Sequence, residues 1–127
     1  MLEISNLTKK YKKIAAVDQI NFTVPSGKVG ILLGPNGAGK STTIKSIAGL
    51  LRYEGEIKIN GLPSKSVEAK KIFAYVPEIP AMFGALTVME HIEYVRRAYR
   101  SQITDEEVEA LLTRFEMSDK KDKLGDE

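Results

Sequence analysis

No cysteine occurs in this sequence. Disulfides and thiolate metal sites are therefore excluded, although the cellular compartment stays open on that ground. No apolar run approaches the roughly 18 residues of a bilayer-spanning helix. Met1-Leu2-Glu3-Ile4 lacks a basic segment followed by an apolar one, so no secretory signal is visible and a cytoplasmic location is the default expectation. Neither an internal repeat nor a low-complexity segment is found. The length of 127 residues suits one small domain or part of a larger one. A chain of this size can bury roughly two-thirds of its unfolded surface, enough for a real core.

A strong overall charge is also missing, since the net charge is only +2. Its distribution is uneven. Residues 1–103 carry 15 Lys/Arg against 8 Asp/Glu, whereas residues 104–127 carry 4 against 9. A basic portion suits polyphosphate or nucleic acid, but most of these lysines read as solvated surface. At 43% hydrophobic and 28% charged, the composition is that of an ordinary soluble protein.

What is present is a phosphate loop. Gly34-Pro35-Asn36-Gly37-Ala38-Gly39-Lys40-Ser41 satisfies G-x-x-x-x-G-K-[ST] at every fixed position. Backbone N–H groups must approach a triphosphate closely, and Gly34, Gly37 and Gly39 remove side chains that would obstruct them. Successive N–H groups then form a concave anion nest, to which a following helix adds its positive end. Lys40 supplies a mobile point charge for the β- and γ-phosphates, and Ser41 a hydroxyl for Mg²⁺. The flanks fit. Val29-Gly30-Ile31-Leu32-Leu33 predicts a strand buried on both faces. Ile44, Ile47, Ala48 and Leu51 recur at the spacing of one helix face.

The rest of the chain alternates strands with turns, then becomes helical. Leu2 and Ile4 predict a first strand, and Ile20, Phe22 and Val24 a second. Thr8-Lys9-Lys10-Tyr11-Lys12-Lys13 lies between them. Tyr11 suits either a base-stacking platform or an exposed hairpin tip. Glu56-Ile57-Lys58-Ile59 predicts a strand with one wet face, closed by the turn Asn60-Gly61. Residues 62–70 form a polar connection with room for a helical turn. Lys71-Ile72-Phe73-Ala74-Tyr75-Val76 predicts another strand, stopped by Pro77 and Pro80, which places Glu78 in a constrained loop. Thr87-Val88-Met89-Glu90 and Thr104-Asp105-Glu106-Glu107 have the spacing of capping boxes, so each predicts a helix start. The stripes Val88/Ile92/Val95/Tyr99 and Val108/Leu111/Leu112/Phe115 need partners, and each can face the other. Residues 118–127 are almost all charged or small.

The residues around the loop resemble a particular family. Leu33 to Thr43, Leu-Gly-Pro-Asn-Gly-Ala-Gly-Lys-Ser-Thr-Thr, is similar to the Walker A motif of the ATP-binding subunits of ABC transporters. Tyr11 matches that family's adenine-stacking A-loop aromatic. Glu56–Gly61 resembles the strand and turn after the P-loop helix. Leu86-Thr87-Val88-Met89-Glu90-His91 resembles the LTV-x-E-N segment that opens the helical subdomain. His91 is thereby not the family's switch histidine, and reads as structural or solvated.

The resemblance implies an α/β fold, a P-loop NTPase of ABC type, with an N-terminal β-subdomain, a partial core and the start of the helical subdomain, truncated thereafter. It implies a β-subdomain and P-loop core over 1–76, a Q-loop over 77–86, a helical subdomain over 87–117 and a charged tail over 118–127. Its implied ligands are ATP and Mg²⁺. Gly34, Pro35, Asn36, Gly37, Ala38, Gly39, Lys40, Ser41 and Thr42 would surround the nucleotide phosphates, and Tyr11 would stack on the base. Ser41 and Glu78 would reach the metal, and Lys40 and Glu78 would serve hydrolysis. Glu78 departs from the family's usual Gln. It keeps an oxygen ligand suited to a hard cation but loses the amide donor that positions water.

The family's signature sequence, Walker B strand, D-loop and switch histidine have no counterpart in these residues. Leu124-Gly125-Asp126-Glu127 lacks the preceding apolar run of a buried Walker B strand. The chain thus resembles the first half of such a domain, expected to bind nucleotide weakly by itself and not to turn it over. The implied partners are a transmembrane permease and a second nucleotide-binding subunit that sandwiches ATP, with no direct nucleic acid, at the cytoplasmic side of a membrane. Alternatives, in order, are a soluble ABC-type ATPase acting on ribosomes or DNA, a non-catalytic module, and another P-loop enzyme. The last is disfavoured by the absence of an N-K-x-D guanine motif.

Overall fold

A computed structural model describes residues 1–79 and 82–125. The readings that concern Pro80, Ala81, Asp126 and Glu127 lie outside the described residues. These are the strand stop at Pro80, part of the Q-loop, the end of the charged tail and the Walker B comparison. The chain divides into two compact units, Met1–Tyr75 and Val76–Glu127.

The first unit is built on an antiparallel sheet. Strand β1 (Leu2–Tyr11) pairs with β2 (Ile14–Val24) on one side and β3 (Glu54–Ile59) on the other, and β4 (Leu62–Pro63) completes the order β2-β1-β3-β4. The first strand is longer than Leu2 and Ile4 predict, because Thr8–Tyr11 stay in the ladder and the hairpin turns only at Lys12-Lys13. Strict alternation fails along it, since Ile4, Leu7 and Thr8 are the buried positions. The cause is a set of bulges. The β1–β2 register shifts between Ile4 and Leu7, between Leu7 and Lys9, and between Lys9 and Lys10. Each extra residue reverses the in–out pattern and bends the ribbon. Side chains support the irregular backbone there: Asn6 N–H donates to Asn21 Oδ1 at 2.8 Å, and Gln19 N–H to Thr8 Oγ1 at 2.9 Å.

The core lies on one face of this sheet. Ile4, Leu7, Val17 and Ile57 are buried, and Leu2, Ile20, Phe22, Ile47 and Tyr53 pack against them. Each such burial stabilises by about 1.5–3 kcal/mol. Ile47 belongs to helix α1 (Lys40–Ile47), so this contact seats the helix on the sheet. The helix does not bury the expected Ile44-to-Leu51 stripe. Its buried residues are Thr43 and Ser46, whereas Ile44 is 40% exposed. Short side chains on that edge let the helix lie close to its support, and Ser46 satisfies its hydroxyl by donating to the Thr42 carbonyl at 2.8 Å. Asn60-Gly61 forms the predicted turn, with φ values of 49° and 79° between the paired Ile59 and Leu62. The N-terminal ammonium ties Ser26 Oγ and Asn60 Oδ1 together. Helix α2 (Val67–Lys70) supplies the helical turn expected in the polar connection.

Two predicted strands are not formed. Residues 29–33 have no strand pairing, and Val29, Ile31 and Leu33 are 91%, 78% and 84% exposed. Residues 71–76 are likewise unpaired, with Ile72 and Val76 exposed. An apolar run becomes a buried strand only where neighbouring strands flank it. The antiparallel sheet of the first unit offers these runs no partner.

The second unit is held by polar contacts as much as by apolar ones. Helices α3 (Val88–Tyr99) and α4 (Asp105–Arg114) both start in complete capping boxes, Thr87 with Glu90 and Thr104 with Glu107. The two apolar stripes do not bury each other as expected. α3 buries no residue, Val95 and Tyr99 are about half exposed, and only Val108 and Leu112 are buried on α4. Arg96 accounts for the arrangement, since its guanidinium donates to Asp105 Oδ1 at 2.7 Å and to the Ile103 carbonyl at 2.8 Å. A salt bridge and a carbonyl bond thus join the end of one helix to the start of the next.

His91 has a structural role. Its Nε2 accepts from Phe83 N–H at 2.8 Å, so the proton sits on Nδ1 and is donated to the Thr87 carbonyl at 2.9 Å. The ring also stacks on Phe83. Residues 118–125 make more contacts than a solvated tail would. A 3₁₀ turn at Ser118–Lys120 leads to a bridge between Leu124 and Thr87, and Val88 N–H donates to the Lys123 carbonyl at 3.0 Å.

Thr87→Ala removes the side-chain acceptor of the first box and is expected to cost about 1 kcal/mol in this unit. Glu90 is held below the usual carboxylate value, chiefly by the Thr87 backbone N–H and then by its side chain. A group lowered in this way stabilises fully above the ordinary carboxylate range, and its contribution is lost as pH falls through the lowered value. Amide exchange at the start of α3 should therefore accelerate below that range in the parent chain, after correction for intrinsic rates. The acid-induced change should be smaller in Glu90→Gln.

Candidate phosphate-binding site

The loop between residue 33 and helix α1 closes on itself. Ala38 N–H donates to the Pro35 carbonyl at 3.2 Å, and Thr43 N–H donates to the Gly39 carbonyl at 2.8 Å as the helix begins. Lys40 folds across the mouth of the loop, its ammonium donating to the carbonyls of Gly34 at 2.6 Å and Pro35 at 2.8 Å. An ammonium has three donors, so one remains to be aimed at an anion. Gly39 is the N-cap of α1, with no capping side chain, and the first turn carries no acidic residue. The N–H groups of that turn are left without a side-chain acceptor, and the positive end of the helix dipole is not neutralised from within the helix. Ser41 is exposed and Thr42 half-buried at this end of the helix.

The glycines serve different ends. Gly37 and Gly39 share almost the same left-handed conformation, with φ of 85° and 86°. A Cβ on Gly37 would meet nothing within 4 Å, so the position is open to whatever sits in the loop. A Cβ on Gly39 would lie 2.3 Å from the carbonyl oxygen of Ala16 and 3.0 Å from Val17 Cγ2. Glycine at 39 is therefore required by the approach of β2 as well as by the left-handed φ that it shares with Gly37. Ala16 is the extra residue of a bulge, since Lys9 pairs with Val17 while Lys10 pairs with Ala15. Nothing in the residue type of Ala16 signals this role. Only the strand register reveals it.

The same hairpin carries Tyr11. It closes β1 opposite Ile14, beside the turn, and is 49% exposed. Lys9 Nζ lies 4.9 Å from the ring centroid, a cation–π contact that covers one face of the ring. Tyr11, Ala16 and the phosphate loop thus belong to one continuous part of the first unit. Glu78 is an exposed residue of the second unit. A shallow cleft of about 230 Å³ opens elsewhere along β1, lined by Thr8, Lys9, Lys10, Arg52, Tyr53 and Glu54, and includes none of the phosphate loop. Among the described residues, no cluster of three or more His, Cys, Asp or Glu could hold a metal ion. Ser41 carries a hydroxyl oxygen of the kind a hard cation accepts as a ligand.

A glycine-rich loop, a lysine across its mouth and an uncapped helix N-terminus define a P-loop domain. Comparison with known proteins gives the family. The ABC transporter family profile matches residues 17–127. The SkfA peptide export ATP-binding protein SkfE of Bacillus subtilis is 38% identical over 100 residues, covering 78% of this chain and 42% of that protein. A solved ATP-binding subunit of an ABC transporter matches with a TM-score of 0.84 and 34% identity, over 97% of this chain and 53% of that one. A dimeric ATP-binding cassette in a post-hydrolysis state, bound to ADP and Pi, matches with a TM-score of 0.81 and 26% identity, over 99% of this chain and 62% of that one. The chain belongs to the ABC transporter family. It spans between 21% and 55% of the length of the curated relatives it matches.

The paired glycines generate a direct test. Gly37→Ala should cost about 1–2 kcal/mol, the penalty for a side chain in a left-handed conformation. Gly39→Ala adds a collision with a backbone atom and should cost about 2–4 kcal/mol in urea unfolding. Equal costs at the two positions would show that the Ala16 carbonyl yields freely.

Proposed function

We propose that this chain supplies the nucleotide-binding portion of the ATPase subunit of an ABC transporter. The observation that carries this reading is the phosphate loop itself, with Lys40 over its mouth and an uncapped α1 behind it, in a chain of that family. Gly34, Pro35, Asn36, Gly37, Ala38, Gly39, Lys40, Ser41 and Thr42 hold the phosphates of ATP, with Lys40 countering charge on the β- and γ-groups. The exposed face of Tyr11 stacks on adenine, opposite the face that Lys9 covers. Mg²⁺, when bound, neutralises charge on the transferring phosphoryl group. Ser41 offers it a hydroxyl, and by the family resemblance alone Glu78 is assigned a carboxylate oxygen as a metal ligand. Lacking an amide, Glu78 does not donate to a water as the family's Gln does.

The resemblance divides the chain by segment. Residues 1–76 form the β-subdomain and P-loop core, residues 77–86 the Q-loop, residues 87–117 the start of the helical subdomain and residues 118–127 its charged continuation. The whole protein hydrolyses ATP as one of two nucleotide-binding subunits that sandwich the nucleotide. Its Q-loop and helical subdomain dock on a transmembrane permease at the cytoplasmic face of the membrane, without direct contact to nucleic acid. No helix among the described residues is long and apolar enough to cross a membrane.

These 127 residues hold the phosphate cradle but no carboxylate placed after a Walker B strand and no signature sequence. By themselves they bind nucleotide weakly and do not turn it over. A steady-state phosphate-release assay should give the same background rate for the parent chain and Lys40→Ala. Turnover that disappears in Lys40→Ala would overturn this. For the base site, Tyr11→Ala should weaken ATP binding by about tenfold and tripolyphosphate binding by less than about twofold, as read by NMR titration with Mg²⁺. Equal losses for the two ligands would remove Tyr11 from the base site.

A further inference from the structure

We propose that the β2 bulge at Ala16 is the gauge that sets the position of Tyr11 relative to the phosphate loop, which makes Ala16 a positioning residue for nucleotide selectivity. The inference rests on the nucleotide reading above and goes further by naming what joins its two halves.

The contact is between backbones. The carbonyl oxygen of Ala16 fills the space where a Cβ of Gly39 would be, at 2.3 Å from that position. A side chain at such a contact can rotate away, but a strand carbonyl moves only if its strand moves. From Ala16 the hairpin runs through the Lys10–Ala15 and Tyr11–Ile14 pairs to its tip. The register shift at Ala16 is therefore the last irregularity before Tyr11. An extra residue in one strand bends the ribbon and increases its twist, and so decides where the tip points. Gly39 in turn is the N-cap of α1, adjacent to Lys40 and Ser41. One backbone contact thus connects the residue proposed for the base with the residues proposed for the phosphates. Val17, the next residue, is buried in the core and anchors the bulge from below.

Deleting Ala16 removes the extra residue, so that the ladder runs without a bulge from the Lys9–Val17 pair to the hairpin end, while leaving Tyr11, Lys40 and every loop glycine in place. The deletion should move the tyrosine without removing it. In NMR titrations with Mg²⁺, the deletion variant should bind ATP about tenfold more weakly than the parent and tripolyphosphate within about twofold of it. Tyr11→Ala made in the deletion background should then cause almost no further loss of ATP affinity, whereas in the parent it costs the full stacking contribution. A merely structural role for Ala16 would lower both affinities together and leave the effect of Tyr11→Ala unchanged, and that result would overturn the proposal. So would a deletion variant with parental ATP affinity.

If the deletion does not fold, insertion of one alanine after Ala16 lengthens the bulge in the opposite sense and carries the same expectations. A parent chain that binds neither ATP nor tripolyphosphate would instead overturn the nucleotide reading itself, and this proposal with it. That outcome is distinct from loss of base selectivity alone.

Discussion

The candidate site depends on a close approach of two backbone segments. The Ala16 carbonyl sits where a side chain of Gly39 would begin, so the phosphate loop and the β1–β2 hairpin can meet only because residue 39 has no Cβ. Gly37 shares the backbone conformation of Gly39 but faces open space. The left-handed conformation calls for glycine at both positions, and packing against a strand adds a second requirement at 39. The two requirements are indistinguishable in a motif string, where both read simply as glycine.

Electrostatics at the loop follow from what is withheld as much as from what is supplied. No acidic residue occupies the first turn of α1, and no side chain caps it. The partial positive charge of the helix end is therefore left for an external anion, and Lys40 adds a full charge beside it. Two carbonyls hold that ammonium in place, which limits the conformational freedom it must lose when it meets a phosphate.

The second unit illustrates a different balance. Only Val108 and Leu112 are buried on its helices, and α3 buries none of its residues. Its definition comes from hydrogen bonds: two reciprocal capping boxes, the Arg96 bonds to Asp105 and Ile103, and His91 joining Phe83 to Thr87. Such contacts are individually modest but directional. They account for well-defined helix ends in a unit that leaves Val95, Tyr99 and Phe115 on its surface.

Sequence reasoning was dependable wherever the cause of a structure is local. The phosphate loop, the Asn60-Gly61 turn, the β3 strand and the helix starts at Thr87 and Thr104 each follow from the preferences of a few adjacent residues, and all are found. It was weaker wherever an element depends on what lies beside it. Residues 29–33 and 71–76 have the composition of buried strands, but burial needs flanking strands, and composition cannot provide them. The face that α1 buries, the pairing of residues 121–125 with the start of α3 and the reason for glycine at 39 are likewise long-range facts. By itself the sequence determined the local form of the loop, because its glycines, its lysine and the start of α1 are consecutive residues. Only the tertiary structure decided that β2 supports this loop through Ala16, because a bulge is a relation between two strands and belongs to neither one alone.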